Sequence, residues 1–343
     1  MRPRRFLLNR IERQTLPSMF REVVMTRFRM SWLGILALLA VSSTASAQTY
    51  PSQRVTIIVP FTAGSITDGL ARILADKLSE MWKQTVIVEN RPGIPGTAGA
   101  AKAAPDGYTL MLTSNGHTIA RAISKSAQFD PVRDFAAISQ VAIVPLAVVV
   151  PADSPAKSIK DFIELANQKP GQLNFASAGL ASTTYLAAEV FKQQAKINIV
   201  HVPYRGLPEA TTAVVRGDVA IYFLSVPSAQ ELSATGRLRV LAVNSAKRLP
   251  QLPDAPTLVE AGVPGYKYDS WFGVMAPAGT PKAILTKVSQ DIGKALQLPD
   301  VHEKLVAQGS VPAPTTPEQF DMIIKEDTER YAKILKDAGI EPQ

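Results

Sequence analysis

The chain has 343 residues, of which 46% are hydrophobic and 19% charged; such a composition folds rather than staying disordered, and the length suits about two domains. The net charge of +8 is concentrated at the start, where residues 1–47 hold eight Arg and two Glu, so the near-neutral remainder has no basic footprint for nucleic acid. Cysteine is absent, which excludes disulfides, thiol nucleophiles, thiolate metal sites and a lipidated cysteine anchor.

Arg27 and Arg29 precede an apolar run from Trp32 to Val41, and the small-residue stretch SSTASA follows. The run is far shorter than the ~20 residues a bilayer span requires. It reads as a secretory signal peptide with cleavage expected after Ala47. Residues 1–24 fit that pattern poorly, which favours Met25 or Met30 as the true start.

Beyond the leader, RVTIIV (54–59) predicts a buried strand. Residues 68–82 predict an amphipathic helix with Leu70, Ile73, Leu74, Leu78 and Met81 on one face. VIVEN (86–90) predicts a second strand, followed by the loop RPGIPGTAG, a short helix over 97–103, a turn at PDG and the strand YTLMLTS (108–114). The continuously apolar run 141–151 predicts a strand that is buried on both faces or crosses between two domains. A second series follows: helix 158–168, strand 173–177, helix 182–195, strand 197–204, a helix with Pro208 in its first turn and Gly217 past its end, and strands 219–225 and 237–245. The run 271–279 reads as a return crossing, and helices 281–297 and 317–338 close the chain. Alternating strands and helices imply an α/β class with a largely parallel sheet. Two crossings imply two lobes on a hinge. Ligands of open α/β sheets sit beyond the carboxyl ends of the strands, and in two lobes those ends can face one cleft.

The first strand-to-helix corner holds Phe61, Thr62, Ala63, Gly64, Ser65, Thr67 and Asp68. The unpaired amides of a helix N-terminus carry a partial positive charge and receive carboxylate oxygens. Gly64 permits close approach of the backbone, and Thr62, Ser65 and Thr67 add hydroxyls. Ser65 or Thr67 can equally serve only as an N-cap. Asp68 is favoured in a first helical turn by the dipole whatever the function. Ser114 and Asn115 end a strand facing the same gap, and His117 is either their neighbour in the site or a cap residue. In the second lobe Ser177, Ala178, Gly179, Ser182 and Thr183 form a like corner, with Tyr185 either narrowing the pocket or packing. Tyr204, Arg205 and Gly206 form a third, in which Arg205 is either a carboxylate clamp or a solvated or inter-lobe ion pair. Phe61 and Trp271 are candidate apolar walls, Trp271 equally a hinge-core residue.

Six stretches in order, PFTAGSITD (60–68), VENRPG (88–93), AAPDGYTL (103–110), HVPYRG (201–206), LAVNSAKRLPQLPDAPTLVEAG (241–262) and WFGVMAPAGTP (271–281), resemble the Bug family of periplasmic solute receptors of tripartite tricarboxylate transporters. The resemblance spans nearly all of residues 50–340. It implies a two-lobed Venus-flytrap of the type II periplasmic binding class, with lobe 1 over 48–148 and 272–343 and lobe 2 over 149–271. It further implies a monomeric periplasmic receptor without a cofactor, holding a small carboxylate between its lobes and presenting it to membrane subunits of such a transporter. In that family Asp68 can accept a hydrogen bond from a ligand. Two departures stand out. The family has adjacent glycines where this chain has Gly64 and Ser65, and a glycine followed by a histidine where it has Ala181 and Tyr185.

An enzyme is disfavoured. No GxSxG occurs, and the three histidines (His117, His201, His302) are widely separated with no HExxH, so neither a serine hydrolase nor a zinc site is indicated. A receptor feeding a sensor kinase would share fold and site with a transport receptor, and the sequence does not separate the two.

Overall fold

The computed structural model describes residues 50–180 and 182–342; the expected signal peptide and Ala181 lie outside the described residues. In chain order the elements are β1 (Val55–Val59), α1 (Ile66–Trp82), β2 (Val86–Asn90), α2 (Ile94–Ala101), β3 (Thr109–Ser114), a 3-10 turn (Asn115–Ile119), α3 (Ala120–Ile123), β4 (Phe135–Ile143), β5 (Leu146–Pro151), α4 (Ile159–Gln168), β6 (Asn174–Ser177) and α5 (Thr183–Ala195). There follow β7 (Val200–Pro203), α6 (Leu207–Arg216), β8 (Tyr222–Ser225), α7 (Val226–Ala234), β9 (Leu238–Val243), β10 (Trp271–Pro277), α8 (Lys282–Leu296), α9 (Pro299–Ala307), β11 (Val311–Pro312) and α10 (Pro317–Asp337).

One lobe is a six-stranded sheet in the order β11-β4-β10-β3-β1-β2. The β-branched run of β1 sits inside it, parallel to β2 and β3. The apolar face of α1 covers it, with Leu70, Leu74 and Leu78 joining Val55, Ile57 and Val59 in one core. The other lobe holds the three-stranded sheet β8-β5-β9 and the pair β6-β7, linked by a bridge from Phe175 to Ile221. The fold is thus α/β and two-lobed, with two crossings. Among the described residues no helix is long and apolar enough to cross a membrane.

The apolar run 141–151 is two strands rather than one. Pro145 has no N–H to continue a ladder, and residues 144–145 carry the chain from the first sheet to the second. Leu146, Ala147 and Val148 already pair with β8 and β9, so the sheet changes slightly ahead of the expected lobe limit at 148. β4 also begins at Phe135, well before the run, because two buried polar residues hide its start. The Ser139 hydroxyl donates to the Thr315 carbonyl at 2.9 Å, and the Gln140 N–H donates to Thr315 Oγ1 at 3.0 Å. Among the named strands, parallel ladders join β1 with β2 and β3, and β6 with β7; single parallel bridges link Phe175 to Ile221 and Val243 to Thr257. The strands next to the crossings pair antiparallel, β10 with β3 and β4 and β5 with β8 and β9. A strand that returns from the other lobe runs opposite to the one that left.

α10 belongs to both lobes. Phe320 and Ile324 pack with Trp271 and Met275 in the first. Tyr331, Ile334 and Leu335 lie in the core of the second, with Phe162, Tyr185 and Phe191.

Candidate ligand-binding site

The N-terminal turns of three helices border one cleft of about 600 Å³. Residues 60–67, Pro92, Gly93, Ser114 and Phe272 line it from the six-stranded side. Ala178, Gly179, Leu180, Ser182, Thr183, Thr184 and residues 205–209 line it from the other. The structure therefore brings together Phe61, Thr62, Ala63, Gly64, Ser65, Thr67, Ser114, Ala178, Gly179, Ser182, Thr183, Arg205 and Gly206. It leaves Asp68, Asn115, Ser177 and Tyr204 outside the lining.

At the first corner Gly64 adopts φ +78°, a conformation that favours glycine. Ser65 sits at φ −70°, ψ 161°, where any residue is at ease, and its Oγ accepts the Asp68 N–H at 3.2 Å as the N-cap of α1. The missing second glycine therefore costs the backbone nothing. The amides of Ile66 and Thr67 have no intrahelical acceptor, as in any helix start, and they border the cleft.

Asp68 braces this loop from behind. Its Oδ2 accepts the Gly64 N–H at 2.9 Å and Arg72 Nε at 3.0 Å, and its Oδ1 accepts Asn90 Nδ2 at 3.0 Å. Burial would raise its pKa, but the hydrogen bonds from Arg72, Gly64 and Asn90 outweigh that and hold the carboxyl below the usual range. A depressed folded pKa contributes stability that is present above the unfolded value of about 4 and lost as the pH falls through the folded one. Asp68→Ala is expected to lower unfolding free energy by about 2 kcal/mol at pH 7, with a smaller gap from wild type near pH 3.5, in urea titrations at both pH values. Equal stability at pH 7 would remove the bracing role.

In the second lobe Ser182 N-caps α5, its Oγ accepting the Tyr185 N–H at 3.2 Å. Thr184 Oγ1 accepts the Ala178 N–H at 3.0 Å. Ser177 is fully buried and acts as a buttress. Its Oγ accepts the Gly179 N–H at 3.1 Å and lies 2.6 Å from His201 Nε2. Burial, aided by Lys192, pulls the His201 pKa down to about 4, so the ring is neutral at pH 7 and shares one hydrogen with the serine hydroxyl. Tyr185 packs rather than narrowing the cleft, buried between Phe175 and His201.

At the third corner Gly206 precedes α6 and no side chain caps the helix. The Arg205 N–H donates to Glu209 Oε2 at 3.1 Å. Arg205 is exposed and lines the cleft, and its guanidinium has no ion-pair partner among the described residues. Tyr204 turns to the apolar cluster around Val202 and Leu207, while its N–H donates to the Ser177 carbonyl at 3.0 Å.

Ser114 Oγ is buried at the cleft wall without a partner. A buried hydroxyl in that state is costly unless a guest or water meets it. Asn115 instead donates through Nδ2 to the Asp269 carbonyl at 3.0 Å. His117 lies away from this cleft, stacked on Phe129 and edge-on to Phe135. Trp271 is hinge core, its Nε1 donating to Asp327 Oδ2 at 2.7 Å. The next residue on the strand, Phe272, faces the cleft in its place.

Of the lining residues, sequence reasoning missed Pro60, Ile66, Pro92, Gly93, Leu180, Thr184, Leu207, Pro208, Glu209 and Phe272. Two signals were available. β2 runs parallel beside β1, so the loops at their carboxyl ends are neighbours. Strand alternation also puts Trp271 and Phe272 on opposite faces. Among the described residues no cluster of His, Asp and Glu is placed to hold a metal ion.

Residues 70–340 match the model of TctC, the tripartite tricarboxylate transporter family receptor. The chain belongs to this family. Protein BugT of Bordetella pertussis is 35% identical over 321 residues, covering 92% of this chain and 98% of BugT. Among solved structures, R. palustris Rpa4515 with adipate superposes with a TM-score of 0.77 at 35% identity, covering 86% of this chain and 100% of that one. MatC (Rpa3494) from Rhodopseudomonas palustris with bound malate gives 0.74 at 28% identity, covering 83% and 100%. The family is one of periplasmic receptors for transport rather than of enzymes, and the fold is that of two-lobed periplasmic binding proteins.

Proposed function

We propose that the mature chain, exported by a signal peptide cleaved after Ala47, works in the periplasm as a non-catalytic, monomeric receptor. It captures a small carboxylate between its lobes and presents it to membrane subunits of a tripartite tricarboxylate transporter. The observation that carries this reading is the convergence of the starts of α1, α5 and α6 on one cleft. The charged side chains at that cleft, Arg205 and Glu209, are of opposite sign, so the attraction for an anion comes mainly from backbone amides, reinforced by Arg205 and the unpartnered Ser114 hydroxyl. Related receptors solved with adipate and with malate support the ligand class. The lobes meet where the chain changes sheet, at residues 144–145 and again before Trp271. A ligand touching both lobes binds the closed form better than the open one and shifts the equilibrium toward it.

A thermal-shift panel of mono- and dicarboxylates, amino acids and aromatic acids on the mature protein tests the reading. A ligand raises the melting temperature in proportion to the logarithm of its concentration. Response to sugars alone would overturn the proposal. Arg205→Ala is expected to weaken a dicarboxylate hit about 10- to 100-fold, the worth of one charge-assisted hydrogen bond, with little change in stability. Unchanged affinity in isothermal titration would remove Arg205 from the site.

A further inference from the structure

A second cavity, of about 290 Å³, lies beside the cleft. Pro60, Phe61, Gly93 and Leu180 line both spaces, so Phe61 and Leu180 stand at the partition between them. Behind it the walls are mostly apolar, with Ile94, Ala120, Ile123 and Phe129. The volume is about twice the ~150 Å³ of an apolar cavity that binds benzene. No charged side chain lines it, so it offers nothing to a second carboxylate.

One polar group there is left over. His117 lines the cavity and is buried. Its Nε2 lies 2.9 Å from the Pro131 carbonyl, which can only accept, so Nε2 carries the hydrogen. Burial pulls the imidazole pKa down to about 4, against the smaller pull of the Pro131 carbonyl and Asp130, so the ring is neutral at pH 7 and Nδ1 keeps its lone pair. Nδ1 has no hydrogen-bond partner. An acceptor buried in that state needs a donor.

We propose that this cavity is a second compartment of the binding site. It takes the aromatic body of an acid whose carboxylate is held by the helix starts, and His117 Nδ1 accepts a hydrogen bond from a hydroxyl at the far end of that body. The inference rests on the carboxylate reading above and deepens it. It selects for elongated aromatic hydroxy acids over short dicarboxylates.

Isothermal titration with a matched series tests it: succinate, propionate, 3-phenylpropionate and 3-(4-hydroxyphenyl)propionate. The ring is expected to tighten binding over propionate about 10- to 100-fold, and the hydroxyl a further 2- to 10-fold. Ala120→Leu, which fills the cavity, is expected to abolish the gain from the ring while leaving succinate unchanged. Ser124→Phe fills it from the rim and serves if the first variant fails to fold. His117→Phe is expected to abolish only the gain from the hydroxyl. Succinate binding with no gain from the ring, or a gain that survives both filled variants, would overturn the compartment and leave the carboxylate reading standing. A hydroxyl gain that persists in His117→Phe would overturn the role of Nδ1. Binding of none of the four acids would sink both readings together.

Discussion

Gly96→Ala is expected to destabilise the protein by about 2–3 kcal/mol and to weaken ligand capture at the same time. A Cβ built on Gly96 would lie 1.7 Å from the Arg91 carbonyl oxygen, and that atom is backbone, so a side chain cannot swing aside to make room. The carbonyl is fixed by the loop around it. The Arg91 N–H donates to the Val59 carbonyl at 2.9 Å, and the Gly93 N–H to the Pro60 carbonyl at 3.0 Å. These bonds hold Pro92 and Gly93 against the cleft. Accommodating one methyl therefore moves a wall of the site. Urea unfolding together with a ligand thermal shift would read both effects. A variant with wild-type stability and affinity would show that the loop yields freely.

Asp327→Ala is expected to be of similar size, about 3 kcal/mol. The carboxylate is buried between two donors, Trp271 Nε1 at 2.7 Å and Arg330 Nη2 at 2.7 Å. Alanine would strand a buried indole N–H and a half-buried guanidinium. Asp327→Asn keeps an acceptor for Trp271 and is expected to lose much less. The pH dependence separates the two causes. Burial raises the Asp327 pKa, against the opposing pull of Arg330 and Trp271. A raised folded pKa means that its contribution is fully present below the unfolded value of about 4 and is lost as the pH rises through the folded one. Wild type should therefore gain on Asp327→Asn as the pH is lowered from 7 toward 4, in denaturation curves of the two. A difference that does not change with pH would contradict the raised pKa.

The three corners were legible because each follows one local rule: a strand, then a short loop that carries a glycine, then a helix. Ser65 could be read as a cap or a ligand group, and both Ser65 and Ser182 cap their helices while lining the cleft. What the sequence could not give is direction. Ser177 and Ser114 both end strands, yet one turns into the lobe toward His201 and the other toward the cleft. Asp68 was ambiguous for a related reason, since Asn90, the partner that donates to its Oδ1, comes from the next strand. The side cavity was beyond reach, because its walls come from four separated segments that meet only in the folded chain. Short elements escaped as well. α3 spans four residues, and α7 begins directly where β8 ends, with no loop to mark the change.

α10 is a rod seated at both ends, through Phe320 in one half of the receptor and through Tyr331 and Leu335 in the other. A jaw-like gape would have to draw Tyr331 from its bed and wet it. A torsion about the rod's own axis leaves both ends in place. The cheaper movement is therefore one that turns the two lobes against each other while both ends of the rod stay seated.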